Sequence, residues 1–209
     1  MLKLILENGA ITCEFKTKIR QVKKWTARKI LYLAGWTIDP TNPPHARCVV
    51  IAAPHTSNWD FPMMVLFTNA FGLEIKWMAK DSIFVGPIGY FLRKFGGIPI
   101  IRNKSNNLVN QMIELFEKNK ELMLVVPAEG TRSRSKNWRS GFYHIAHGAE
   151  VPVLPTFLDY GNKRGGFGLP IQLTGKISAD MDKVRAFYEP YRGKYPELSG
   201  PIQLSEEVR

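Results

Sequence analysis

Cys48-Val49-Val50-Ile51-Ala52-Ala53-Pro54-His55-Thr56-Ser57-Asn58-Trp59-Asp60 is the stretch from which the architecture follows. Its first five residues are apolar and rich in β-branched side chains, with no polar alternation, the pattern of a short strand buried on both faces. The polar residues then fall in the loop just past the strand's carboxyl end. Open α/β sheets place their chemistry at that edge.

Within this loop His55 and Asp60 are the candidate catalytic pair. A carboxylate on one ring nitrogen of an imidazole fixes the tautomer and stabilises the imidazolium, which makes the other nitrogen a directed base. Their five-residue offset is about 500° of helical rotation, so a continuous helix keeps the two side chains apart. A turn with Asp60 near the start of the next helix brings them together. Asp60 also reads as an N-cap for the apolar run 61–71, and the spacing alone leaves both readings open.

Outward from the loop, apolar and β-branched runs predict strands at 74–79, 97–101, 122–126 and 151–158, with a sixth at 171–174. Between them lie the expected helix 61–71, an apolar helix over 82–95 broken at Gly86-Pro87, and a helix around 142–147. The clearest amphipathic segment is 103–119, with Leu108, Met112, Leu115 and Phe116 on one face, and a last helix is expected over 180–188. Strands alternating with helices imply an α/β fold, a mostly parallel central sheet with helices on both faces. The α/β domain is expected to occupy 46–209, preceded by an N-terminal segment, 1–45, that ends in a linker containing Pro40, Pro43 and Pro44.

The chain has 209 residues, a hydrophobic share of 44% and a formal net charge of +11. It is long enough to bury a real core, and the charge favours an anionic partner. Residues 1–36 hold eight Lys or Arg against Glu7 and Glu14, more than half of the net charge. Within them, 16–36 reads as a basic amphipathic helix with Ile19, Val22, Thr26, Ile30 and Leu33 in one stripe and with Trp25, Tyr32 and Trp36 suited to a lipid headgroup layer. Two roles are open for that stripe: contact with an anionic membrane surface, or docking on the chain's own domain. There is no RNP-like, zinc-finger or basic-zipper pattern, so nucleic acid is not an expected partner.

Cys48 falls in the buried strand, and neither it nor Cys13 has a second thiol at metal spacing, which favours a reduced cytosolic setting. Residues 1–9 are too short and too polar for a signal peptide, and no window has the apolar run that spans a bilayer. The expected location is the cytoplasmic side of a membrane, peripheral or monotopic, with no transmembrane span. His144 and His147 stand three apart without a third ligand, so structural roles are expected for them, and neither metal nor cofactor is expected.

Three further blocks follow predicted strands. Gly96-Gly97-Ile98-Pro99-Ile100-Ile101-Arg102 ends on an arginine that either grips a phosphate through a bidentate fork or closes the strand edge. Pro127-Ala128-Glu129-Gly130-Thr131-Arg132-Ser133 sets a carboxylate, a glycine, two hydroxyls and an arginine immediately after an apolar strand. Val151-Pro152-Val153-Leu154-Pro155 opens a strand with two prolines, each expected at an end or an edge because proline donates nothing to a ladder.

In order and content these blocks resemble the glycerolipid acyltransferase family, the group that includes the lysophosphatidic acid acyltransferases. The family's His-x4-Asp signature looks like His55 and Asp60, its glycine-to-arginine block like Gly97 to Arg102, its Glu-Gly-Thr-Arg-Ser block stands at 129–133, and its proline-bearing strand looks like 151–155. One departure is visible: the family usually has proline directly before the glutamate, whereas here Ala128 intervenes after Pro127.

The resemblance implies transfer of an acyl chain from acyl-CoA or acyl carrier protein to a hydroxyl of a lysophospholipid, lysophosphatidic acid first among them. It implies His55 as base and Asp60 as its orienting carboxylate, Arg102 and Arg132 as holders of the acceptor phosphate, and Glu129, Gly130 and Thr131 as residues that shape the acceptor site; Lys80, by its place at the end of the second predicted strand, either reaches the same phosphate or stands as a salt-bridged surface lysine. Gly97 and Pro155 are assigned to the acyl donor or to structure. An acyl groove lined by Met63, Met64 and Phe67, by Phe84, Tyr90 and Phe91, or by Trp138, Gly141, Phe142 and Tyr143 is equally compatible with core packing of those side chains. The alternatives are acylation of a different hydroxyl lipid and, from another class, a non-catalytic basic binding module.

Overall fold

The computed structural model describes residues 2–41, 46–100 and 105–208. Helix α1 (Leu2–Leu33) leads to β1 (Thr37–Ile38), β2 (Arg47–Ala52), α2 (Asp60–Phe71), β3 (Lys76–Lys80), α3 (Gly86–Lys94) and β4 (Gly97–Ile100). There follow α4 (Ser105–Lys118), β5 (Leu122–Val126), α5 (Gly141–Gly148), β6 (Val153–Asp159), β7 (Arg164–Phe167) and α6 (Ile177–Tyr188). Among the described residues these strands form one sheet in the order β1-β7-β6-β2-β5-β3-β4. All pairs are parallel except β6 with β7.

The two-residue period of a strand divides each apolar run between two cores. Val49 and Ile51 of β2, with Leu122, Leu124 and Val126 of β5, pack against α4, α5 and α6. Cys48 and Val50, with Met123 and Val125, face the other way, into a cluster shared with Ala27 and Leu31 of α1, Phe67 and Phe71 of α2, and Phe84. Helices on both faces account for the unbroken apolar runs. The buried Cys48 thiol is pushed up to about 12 by desolvation.

Two strands escape a reading of pattern. β1 has only two residues, and β7 begins Arg164-Gly165-Gly166, a weak strand sequence. The close approach of α2 explains the glycine: a Cβ on Gly165 would lie 2.4 Å from the Phe67 ring. The expected strand at 171–174 reduces to an isolated bridge between Ile171 and Val153.

Pro155 corrects its expectation. It lies inside β6, an interior strand, opposite Ile51. β7 pairs with β6 only from Thr156 onward, and Ile171 returns to the ladder at Val153, whose N–H it accepts at 2.9 Å. Pro155 shares its side of the strand with Val153, so its missing donor faces the break at 168–170.

α1 packs along α2 through Ala27 and Leu31, which are buried. Two arginines join this contact: Arg20 Nε donates to the Gly72 carbonyl at 2.7 Å and Arg28 Nε to that of Ala70 at 3.0 Å, satisfying carbonyls that a helix end leaves open. The stripe of Ile19, Val22, Thr26, Ile30 and Leu33 is exposed. The helix docks on its own domain through a different face.

Candidate active site

Parallel strands present their carboxyl ends at one edge of the sheet, and the loops after β2, β3, β5 and β6 meet there. α2 opens at Asp60, with Trp59 in the N-cap position and no side-chain cap. The Asp60 carboxylate is turned instead toward the preceding loop. His55 Nδ1 donates to Asp60 Oδ2 at 3.0 Å, and the Ser57 backbone N–H donates to the same oxygen at 2.9 Å. Because an ionised carboxylate only accepts, this contact places the proton on Nδ1 and leaves Nε2 as the acceptor.

Asp60 Oδ1 takes a third bond, from the Tyr160 hydroxyl at 2.8 Å. Burial, together with the Asp60 charge, raises the Tyr160 phenol well above its usual range, which keeps it a donor. Trp36, just beyond α1, packs edge-on against Tyr160 at a ring distance of 5.1 Å. No motif marks Tyr160. The available signal was its position, immediately after a strand on the same sheet edge.

Glu129 lies beneath the loop with 4% of its surface exposed, and its Oε1 accepts the His55 backbone N–H at 2.6 Å. Desolvation raises its carboxyl above the ordinary range, opposed by that hydrogen bond and the nearby imidazole. Gly130 has φ +69°, and a Cβ there would meet Arg139 Cγ at 2.5 Å, so the turn after β5 has room only for glycine. The C-terminal segment also braces the loop: Thr56 is buried, and its hydroxyl accepts the Tyr195 N–H at 3.2 Å.

A cavity of about 720 Å³ opens beside the pair, with His55, Asp60, Lys80, Gly130, Thr131 and Arg132 in its wall. Lys80, Thr131 and Arg132 are exposed and mark its mouth; Val50, Phe67, Val125 and Phe167 are buried and make its inner end apolar. Met64 joins that wall, whereas Met63 does not. Phe84 is buried against Trp77, Tyr90 and Phe91 are exposed, and none of the three rings lines the cavity. Trp138, Phe142 and Tyr143 belong to the core on the opposite face of the sheet.

Gly97 stands at the start of β4, where a Cβ would lie 2.8 Å from the Leu92 carbonyl oxygen and from the Phe84 ring; it is a packing position. Pro155 is likewise outside this cavity's wall. Arg102 lies outside the described residues. His144 approaches Glu206 at 3.4 Å and His147 stacks on Tyr143, both away from the cavity.

The acyltransferase family model matches residues 37–159, the span from β1 through β6 that carries the His55–Asp60 pair and the Glu129 loop. The chain belongs to the acyltransferase family. It is 27% identical over 162 residues to human 1-acyl-sn-glycerol-3-phosphate acyltransferase beta, covering 74% of this chain and 56% of that protein. It thus spans little more than half the length of that relative. Among solved structures it resembles PlsC, the 1-acyl-sn-glycerophosphate (LPA) acyltransferase of Thermotoga maritima, with a TM-score of 0.54 and 18% identity over 82% of this chain and 76% of that one. That likeness is one of fold.

Proposed function

We propose that the chain transfers an acyl group from a thioester carrier, acyl-CoA or acyl carrier protein, to the hydroxyl of a lysophospholipid, with lysophosphatidic acid the first acceptor to test. The observation that carries this reading is the 3.0 Å contact of His55 Nδ1 with Asp60, at a cavity with a cationic mouth and an apolar interior. His55 Nε2 takes the proton of the acceptor hydroxyl as its oxygen attacks the thioester carbonyl. The ester C–O bond forms, the C–S bond breaks, and the proton passes from the imidazolium to the leaving thiolate. Asp60, held by Ser57 and Tyr160, stabilises the imidazolium between these steps.

Lys80 and Arg132 hold the acceptor phosphate at the mouth, a role the family pattern extends to Arg102. Glu129, Gly130 and Thr131 shape that site, Glu129 by fixing the His55 backbone. The apolar inner end receives the acyl chain. The exposed stripe of α1, flanked by Lys and Arg, rests on an anionic membrane surface.

The test is acyl transfer from labelled acyl-CoA and labelled acyl carrier protein to a panel of lysophospholipids and other hydroxyl lipids, with folded His55→Ala as control. Product from the wild type alone, with the variant slower by about 10²-fold or more, is the expected outcome. Turnover by the variant near the wild-type rate removes His55 as base. Product on another hydroxyl lipid replaces the acceptor and keeps the chemistry.

A further inference from the structure

Between β3 and β4 the chain exposes a dense group of large apolar side chains: Val85, Ile88, Tyr90, Phe91 and Phe95 are 54% to 70% exposed. Such a concentration on and around one short helix marks a surface that something covers. The helix itself is firmly seated. A Cβ on Gly89 would lie 2.2 Å from the Phe84 carbonyl, and Arg93 both donates to that carbonyl at 3.2 Å and lies over the Phe84 ring. Phe84 is buried in the same cluster as Ala27 and Leu31 of α1. α3, whose Leu92 packs on that cluster, therefore lies on the face of the sheet that carries α1.

Charge indicates what covers it. Over residues 76–95 the exposed charges are Lys76, Lys80, Arg93 and Lys94 against Asp81 alone. A second copy meeting this face through a two-fold axis would set lysines against lysines. An anionic lipid surface meets them with opposite charge and accepts the apolar ridge between them. The ridge also adjoins the cavity mouth, since Lys80 and Ile83, which precede α3, line the cavity.

We propose that α3 and its flanks are a bilayer-seating surface, in which Val85, Ile88, Tyr90, Phe91 and Phe95 insert at an anionic phospholipid interface while Lys76 and Lys94 meet headgroup phosphates. This contact is separate from that of α1 and sets the cavity mouth against the lipid, so that an acceptor enters from the bilayer without crossing water. The role of the mouth rests on the proposed lipid acceptor; the contact itself does not.

The experiment compares the full-length wild type with Ile88→Ser/Phe91→Ser on vesicles of phosphatidylglycerol and phosphatidylcholine. Neither residue lines the cavity. Three quantities are read: vesicle partition, transfer to lysophosphatidic acid in the vesicles, and transfer to a short-chain, monomeric lysophosphatidic acid. The expected result is a loss of about tenfold or more in the first two, with the third unchanged. Undiminished partition overturns the proposal, as does a wild-type dimer that dissociates in the variant. If the wild type acylates no acceptor, the proposed function falls, and partition alone decides the role of α3. If the double variant does not fold, Tyr90→Trp replaces it: quenching of the added indole by brominated-chain phospholipid supports the contact, and an unquenched indole overturns it.

Discussion

Tyr160 gives the His55–Asp60 pair its third anchor, donating to Asp60 Oδ1 at 2.8 Å from a different strand end. Tyr160→Phe removes that donor and leaves the ring packed against Trp36. The expected result is kcat lower by about three- to tenfold with KM unchanged, because one hydrogen bond is lost from the residue proposed to orient the base. An altered KM at constant kcat would make Tyr160 a binding residue instead. Glu129 offers a test in stability. Its folded carboxyl titrates above the ordinary glutamate value of 4.5, so between the unfolded and folded values the native state binds more protons. Stability from this group is therefore present below that window and is lost as pH rises through it. Glu129→Gln keeps an acceptor for the His55 N–H and removes the titration, so its advantage over wild type in urea midpoint should grow with pH above 4.5 and then level off. A difference constant with pH discards this account.

At the scale of elements, α1 has one buried face and one exposed face. Leu31, 1% exposed, packs under α2, and Leu31→Ala should cost about 2–5 kcal/mol in unfolding free energy. Val22→Ser/Leu33→Ser changes residues 63% and 79% exposed, and should shift stability by no more than about 0.5 kcal/mol per site while reducing pelleting with anionic vesicles. Equal pelleting removes α1 from the membrane contact. A large stability loss in that variant shows that the stripe is covered by protein. Heptad-like spacing identifies that a helix has an apolar side, but which side meets the domain depends on the partner. Here the decisive contacts are Arg20 and Arg28 on the end of α2, polar groups that an apolar pattern does not register.

For the whole molecule, the order of strands and helices was legible because each buried strand is a local apolar run bounded by polar loops, and the parallel sheet follows from their alternation. The His55–Asp60 spacing and the Glu129–Ser133 block placed the candidate site at the strands' carboxyl edge for the same local reason. β7 was not legible, because Gly165 answers to the Phe67 ring of a helix far away in sequence rather than to strand propensity. Nor was the position of Pro155 inside β6, which depends on a break in a neighbouring strand. The sequence by itself determined the α/β alternation, the buried runs and the residues that can act as base, carboxylate and cation, all set by side-chain chemistry over a few residues. Only the tertiary structure decided that Tyr160 reaches Asp60 across 100 residues, which side of α1 is buried, and that the rings of α3 face outward, because those outcomes depend on which elements pack together.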